Sequence, residues 1–169
     1  MEALGHPLVR IIVGWLILAP ACGALIGLHA NSGAGPWLVL YLLLLIAIAD
    51  SAAFFVGRRL GSRPLASSVS PGKSLEGVAG GLLAVGALAV AVGVGFELAN
   101  PPGFVALSVF SALVSILGDL MESVVKRRAG LKDSGSIIPG HGGILDRIDS
   151  YTAAAPIFAL GWFWQGGLT

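Results

Sequence analysis

A single cysteine in 169 residues excludes an intrachain disulfide and any cysteine-cluster metal site. Histidine is scarce too, three in all, and His141 has no second His or Cys nearby to complete a zinc site. The deepest deficit is charge: Asp, Glu, Lys and Arg make up 11% of the chain, against roughly 25% in ordinary soluble domains. A net charge of +1 gives no case for a nucleic-acid partner, and none is expected.

What fills the chain instead is apolar sequence, 56% of residues with a mean hydropathy of +0.89. It is gathered into blocks long enough to cross a bilayer, which takes about 20 helical residues at roughly 1.5 Å each. Five are read: Leu8 to Leu28, Pro36 to Val56, Val78 to Leu98, Gly103 to Val125, and Tyr151 to Trp164. The first could be taken for a signal peptide, but it is long for one, its Pro20-Ala21-Cys22 is a poor lipid-attachment site, and four more spans follow. Cys22 is expected to be a small buried hydrophobe inside that span.

Basic residues set the orientation, because Lys and Arg stay on the cytoplasmic side of short loops. All ten fall in three segments: Arg10 at the very start of the first span, Arg58, Arg59, Arg63 and Lys73 between spans two and three, and Lys126, Arg127, Arg128, Lys132 and Arg147 between spans four and five. Five spans place these three segments on one face. The expectation is an all-α, multi-pass protein of the bacterial inner membrane, with residues 1–169 as a single transmembrane catalytic domain and both long loops cytoplasmic.

Acidic residues at membrane depth carry the chemistry. Asp50 ends the second apolar run, and Asp119 and Glu122 lie within the fourth. Each such group costs roughly 2.5 to 3.5 kcal/mol on insertion scales, so it marks a site facing protein or water. At 100° per residue Ser108, Ser111, Ser115, Asp119, Glu122 and Lys126 share about an 80° arc of one helix. Ser108 and Ser111 fit ordinary helix packing in a bilayer; Asp119 needs a cation, and Glu122 is spaced to pair with Lys126.

Beyond span four, Asp146 and Asp149 share a face if "ILDRIDS" begins a helix, and an oxygen-only donor set of this kind suits Mg²⁺. "GHGG" reads either as a loop whose glycines let backbone approach a ligand or as a simple turn. The other loop combines Ser70, Pro71, Gly72 and Lys73, a turn exposing backbone amides beside a mobile cation for phosphate.

These residues carry a resemblance. "SVVKRRAGLKDSGSIIPGHGGILDRID", from Ser123 to Asp149, resembles the signature of the phosphatidate cytidylyltransferases, the CDP-diacylglycerol synthases. "ADSAAFFVGRRLG" and "SPGKSLEG" resemble two upstream motifs of that family in order and spacing, with small departures at Ala52, Ala53, Phe54 and Ser74. Nearly the whole chain is covered, although family members commonly carry further spans ahead of the segment corresponding to Leu8.

The resemblance implies CTP and phosphatidic acid as substrates, membrane lipid around the protein, Mg²⁺ as cofactor with a second cation such as K⁺, and a homodimer as one arrangement. Resemblance and chemistry together make Asp119 and Asp146 the first metal ligands and Asp149 the next. Lys126 and Lys132, with the two aspartates, form the catalytic set. Arg127, Arg147, Lys73 and Ser70 are expected on phosphates, Ser123 and Asp133 join the substrate-binding set, and His141, Gly142 and Gly143 line the nucleotide side. Asp50 either orients a basic residue or approaches the metal. Rival readings are a CTP-dependent transferase on another lipid phosphate, an inactive partner subunit, and a cation transporter, which would not need so polar a loop.

Overall fold

The computed structural model describes residues 7–31, 33–66, 69–128, 130, 134, 143 and 145–166. Among these residues five helices run in chain order: α1 Pro7–His29, α2 Gly35–Leu60, α3 Leu75–Gly95, α4 Pro101–Arg128 and α5 Leu145–Trp164. From Ile11 onward α1 is long and apolar enough to cross a membrane, as are α2, α3 and α4, with mean hydropathies from 2.1 to 2.4. Together with the apolar run of α5 they form an all-α, multi-pass membrane bundle.

Between α2 and α3, where the sequence predicts a turn, lies an antiparallel pair of β1 (Pro64–Ala66) and β2 (Ser70–Ser74). Proline opens the first strand and a two-stranded ribbon has only edges, so Pro64 and Pro71 withhold no ladder bond from a third strand. Ser74 then caps α3, its hydroxyl accepting the N–H of Gly77 at 3.1 Å.

The fifth helix starts at Leu145, six residues ahead of the expected Tyr151. Its first turn is polar, and Asp146 there accepts the backbone N–H of Gly143 at 2.8 Å, satisfying a donor at the helix entrance and placing a negative charge at the positive end of the helix dipole. Asp146 and Asp149 are therefore both helical.

The core lies among α2, α4 and α5. Leu42, Leu45, Ile46, Ala154, Ala155 and Phe158 are fully enclosed, and Tyr41, Phe104 and Trp162 stack around Phe158 with ring centroids 4.8 to 6.5 Å apart. The serine stripe of α4 faces inward: Ser108, Ser111 and Ser115 are all 0% exposed. Ser108 bonds Tyr41 Oη at 2.7 Å and the carbonyl of Phe104 at 2.8 Å, and Ser115 donates to the carbonyl of Ala112 at 2.8 Å. Outward faces are apolar, with Trp15, Leu16, Ile26, Leu83 and Leu117 exposed, as a bilayer requires. Cys22 belongs to such a face. It is exposed rather than buried, because only one side of α1 packs on protein.

Helix α3 lies close on α2. A Cβ on Gly77 would sit 2.7 Å from the carbonyl oxygen of Ala53, and one on Gly81 would sit 2.8 Å from that of Ala49. Small residues let the backbones meet in this way. At its other end the same pair leaves a cavity of about 270 Å³, lined by Trp37, Tyr41, Leu44, Leu88, Val92 and Phe96. Helices α4 and α5 meet as tightly: a Cβ on Gly118 would lie 2.5 Å from that of Ala153. Gly118→Val is accordingly expected to push the two helices apart at a cost of roughly 1–3 kcal/mol, read as a lower unfolding midpoint in detergent.

Candidate active site

Three elements converge at one end of the bundle. Helix α2 brings Asp50, the β-hairpin brings Lys73, and α4 brings Asp119; with Ala53, Phe54, Gly72, Ser74, Gly77, Val78 and Ile116 they line a cavity of about 230 Å³. Lys73 Nζ donates to Asp119 Oδ2, and Ser123, one turn further along α4, donates to Asp119 Oδ1 at 3.4 Å. Among the described residues the cation paired with Asp119 thus comes from the hairpin.

A second cluster lies one to two turns on. Lys126 Nζ contacts Asp146 Oδ1 at 2.6 Å and Glu122 Oε1 at 3.2 Å, the latter the expected pairing four residues apart. The backbone N–H of Ser134 reaches both Asp146 oxygens, at 3.1 and 2.9 Å, while Gly143 donates to Oδ2. Asp146 stands in the polar first turn of α5, ahead of the apolar run. Partial burial opposes its ionised form, but the bonds from Lys126, Gly143 and Ser134 outweigh this and hold its carboxyl well below the usual carboxylate range. Asp149 joins the two clusters electrostatically, feeling the charges of Asp119, Lys126 and Lys73, while Asp50 feels Lys73, Asp119 and Asp149.

Asp119 and Asp146 consequently share a neighbourhood, but each has its own lysine. Among the described residues no three His, Cys, Asp or Glu side chains stand together closely enough to enclose a metal ion. Arg127 is exposed, and its Nε donates to the carbonyl of Val69 at 3.4 Å, tying the hairpin to the end of α4. Ser70 is half-buried in β2. Gly143 is buried, with its N–H turned to Asp146. Lys132, Asp133, His141, Gly142 and the side chain of Arg147 lie outside the described residues.

The profile of the cytidylyltransferase family matches residues 6–163. The chain belongs to the cytidylyltransferase family. It is 43% identical to the phosphatidate cytidylyltransferase of Haemophilus influenzae over 169 aligned residues, 94% of this chain and 58% of that one. The Pseudomonas aeruginosa phosphatidate cytidylyltransferase is 46% identical over 152 residues, covering 89% of this chain and 56% of its own length, and that of Bacillus subtilis 43% identical over 119 residues, covering 70% and 44%. The chain thus spans about half the length of the curated relatives it matches.

Reading this family member from sequence alone missed Glu76. Its carboxylate accepts the N–H of Ser62 and of Arg63 at 3.2 Å and the Ser62 hydroxyl at 2.8 Å. The available signal was positional: Glu76 is the second residue of a helix capped by Ser74, one place short of the spacing at which a glutamate reaches back to its own cap.

Proposed function

We propose that this chain transfers a cytidylyl group from CTP to phosphatidic acid, yielding CDP-diacylglycerol and pyrophosphate. The observation that carries this is the cavity where Lys73 meets Asp50 and Asp119 at the end of an apolar bundle. A charged pocket opening beside lipid-facing helices suits a reaction between a water-soluble nucleotide and a membrane phosphate, and the curated relatives bear the matching name.

In this reading an oxygen of the lipid phosphate attacks the α-phosphorus of CTP in line, the α–β anhydride bond breaks, and pyrophosphate leaves. Lys73 and Lys126 are the cations placed to neutralise the phosphate oxygens, aided by Arg127 and by Lys132 and Arg147. Asp50 orients Lys73. His141, Gly142 and Gly143 border the nucleotide, with Ser70, Ser123 and Asp133 completing the substrate contacts. No side chain becomes covalently attached.

The donor chemistry fits Mg²⁺. The carboxylates of Asp119, Asp146 and Asp149 offer oxygen only, and Mg²⁺ binds through one or two protein carboxylates with water and substrate phosphates, so no closed cage is required. When bound it supplies positive charge to the triphosphate. A second cation such as K⁺ belongs to the same proposal. Lys73 and Lys126 contact two of these carboxylates, those of Asp119 and Asp146.

The decisive experiment is transfer of label from α-³²P-CTP to phosphatidic acid by the purified chain in detergent, with and without Mg²⁺; no lipid-soluble label in either would overturn the reading. Placement in the inner membrane with both loops cytoplasmic rests on the ten basic residues. With Cys22 replaced by Ser, a cysteine at Gly61 should react with an impermeant thiol reagent only from the cytoplasmic side and one at Gly33 only from outside. The reverse pattern inverts the topology.

A further inference from the structure

We propose that Glu76 is a positioning residue that keeps Lys73 on Asp119, an inference resting on the cytidylyl-transfer reading. Lys73 sits on a five-residue strand whose partner strand has three residues, and the pairing slips between Pro64 and Ala66. So short and irregular a ribbon has little stability of its own. It is nevertheless asked to deliver a flexible side chain to one carboxylate on another helix.

Glu76 supplies the anchor. Three residues beyond Lys73, it accepts three hydrogen bonds from Ser62 and Arg63, the two residues that lead into β1. The N–H of Leu75 bonds the carbonyl of Arg63 at 3.0 Å in the same place, and Pro64 pairs with Ser74. The C-terminal end of β2 is thereby bolted to both the start of β1 and the first turn of α3. At the opposite end Arg127 holds Val69. Lys73 lies between these two fastenings.

Glu76 is not simply a helix-end charge. Placed at the first turn of α3 it does favour the helix dipole, but Ser74 already caps that end through Gly77, and the Glu76 carboxylate also reaches across to Ser62 and Arg63 on the other side of the hairpin. Loss of the anchor should leave α3 formed and let Lys73 drift. A misplacement of about 1 Å at a reacting centre costs roughly 10²-fold in rate.

The test has two arms. In the first, the protein in detergent is acetylated with an amine-reactive reagent, and modification at Lys73 and Lys126 is followed by mass spectrometry. Asp119→Asn should raise the Lys73 rate several-fold by removing its partner. Glu76→Ala should raise it comparably, Glu76→Gln less, because one acceptor oxygen remains, and Lys126 should be unchanged throughout. In the second arm cytidylyl transfer should fall roughly 10²-fold in Glu76→Ala, recover partly in Glu76→Gln, and be no lower in the Lys73→Ala/Glu76→Ala double variant than in Lys73→Ala alone. An unchanged Lys73 rate in Glu76→Ala, or additive losses in the double variant, would overturn the role. If the unaltered chain transfers no cytidylyl group, the reaction assignment falls, while the acetylation arm still decides whether Glu76 positions Lys73.

Discussion

Asp119→Asn is expected to reduce cytidylyl transfer by roughly 10²–10³-fold, the scale of losing one preorganised charge at a reacting centre, while expression and detergent stability stay near those of the unaltered chain. The substitution is nearly isosteric, and it removes an ionised group from a helix that crosses the membrane, which eases insertion. Its cost falls on Lys73, which loses its acceptor, and on Ser123, which keeps only a neutral oxygen to donate to. The Mg²⁺ concentration giving half-maximal rate should rise with the same substitution. A variant with ordinary rate and ordinary Mg²⁺ response would reduce Asp119 to a counter-ion for Lys73.

Lys126→Met should do more damage to the fold. Its ammonium sits between Glu122 and Asp146, with side-chain exposures of 16% for the lysine and 14% and 11% for the acids. Replacing it by an uncharged chain of similar length leaves two carboxylates facing each other with little water to separate them. Breaking a buried pair in this way costs roughly 3–5 kcal/mol. Both activity and the thermal midpoint in detergent should therefore drop, and the partner change Glu122→Gln should restore part of the midpoint without restoring activity. Full recovery of activity in Lys126→Met/Glu122→Gln would mean that Lys126 serves only to neutralise its neighbours.

The parts of this arrangement that could be read from the chain are those governed by local periodicity. Five helices follow from the apolar runs, four of them long and apolar enough to cross a membrane while α5 falls short of that, and the stripe from Ser108 to Lys126 follows from residues three and four apart pointing the same way. The Glu122–Lys126 pair is of this kind. Lys73 and Asp119 are not: 46 residues separate them, and their meeting depends on how a hairpin folds over the end of a bundle. That hairpin was itself hidden, since "SPGKS" combines Pro and Gly, residues that argue against a strand in any sheet broader than two. The early start of α5 was obscured because the loop signature and the first helical turn are equally polar. Burial of Cys22 was misjudged because an apolar residue in a membrane helix can face lipid as readily as protein, and a single span does not say which side packs.

The serine stripe of α4 has a consequence for the membrane itself. A row of hydroxyls leading to carboxylates could act as a wire for protons and discharge the gradient across the bilayer. Here Ser108, Ser111 and Ser115 are sealed from water, and two of them spend their hydrogen bonds on Tyr41, Phe104 and Ala112 rather than on a file of solvent. Acidic groups thus stand on this helix beside a layer of hydroxyls closed to solvent.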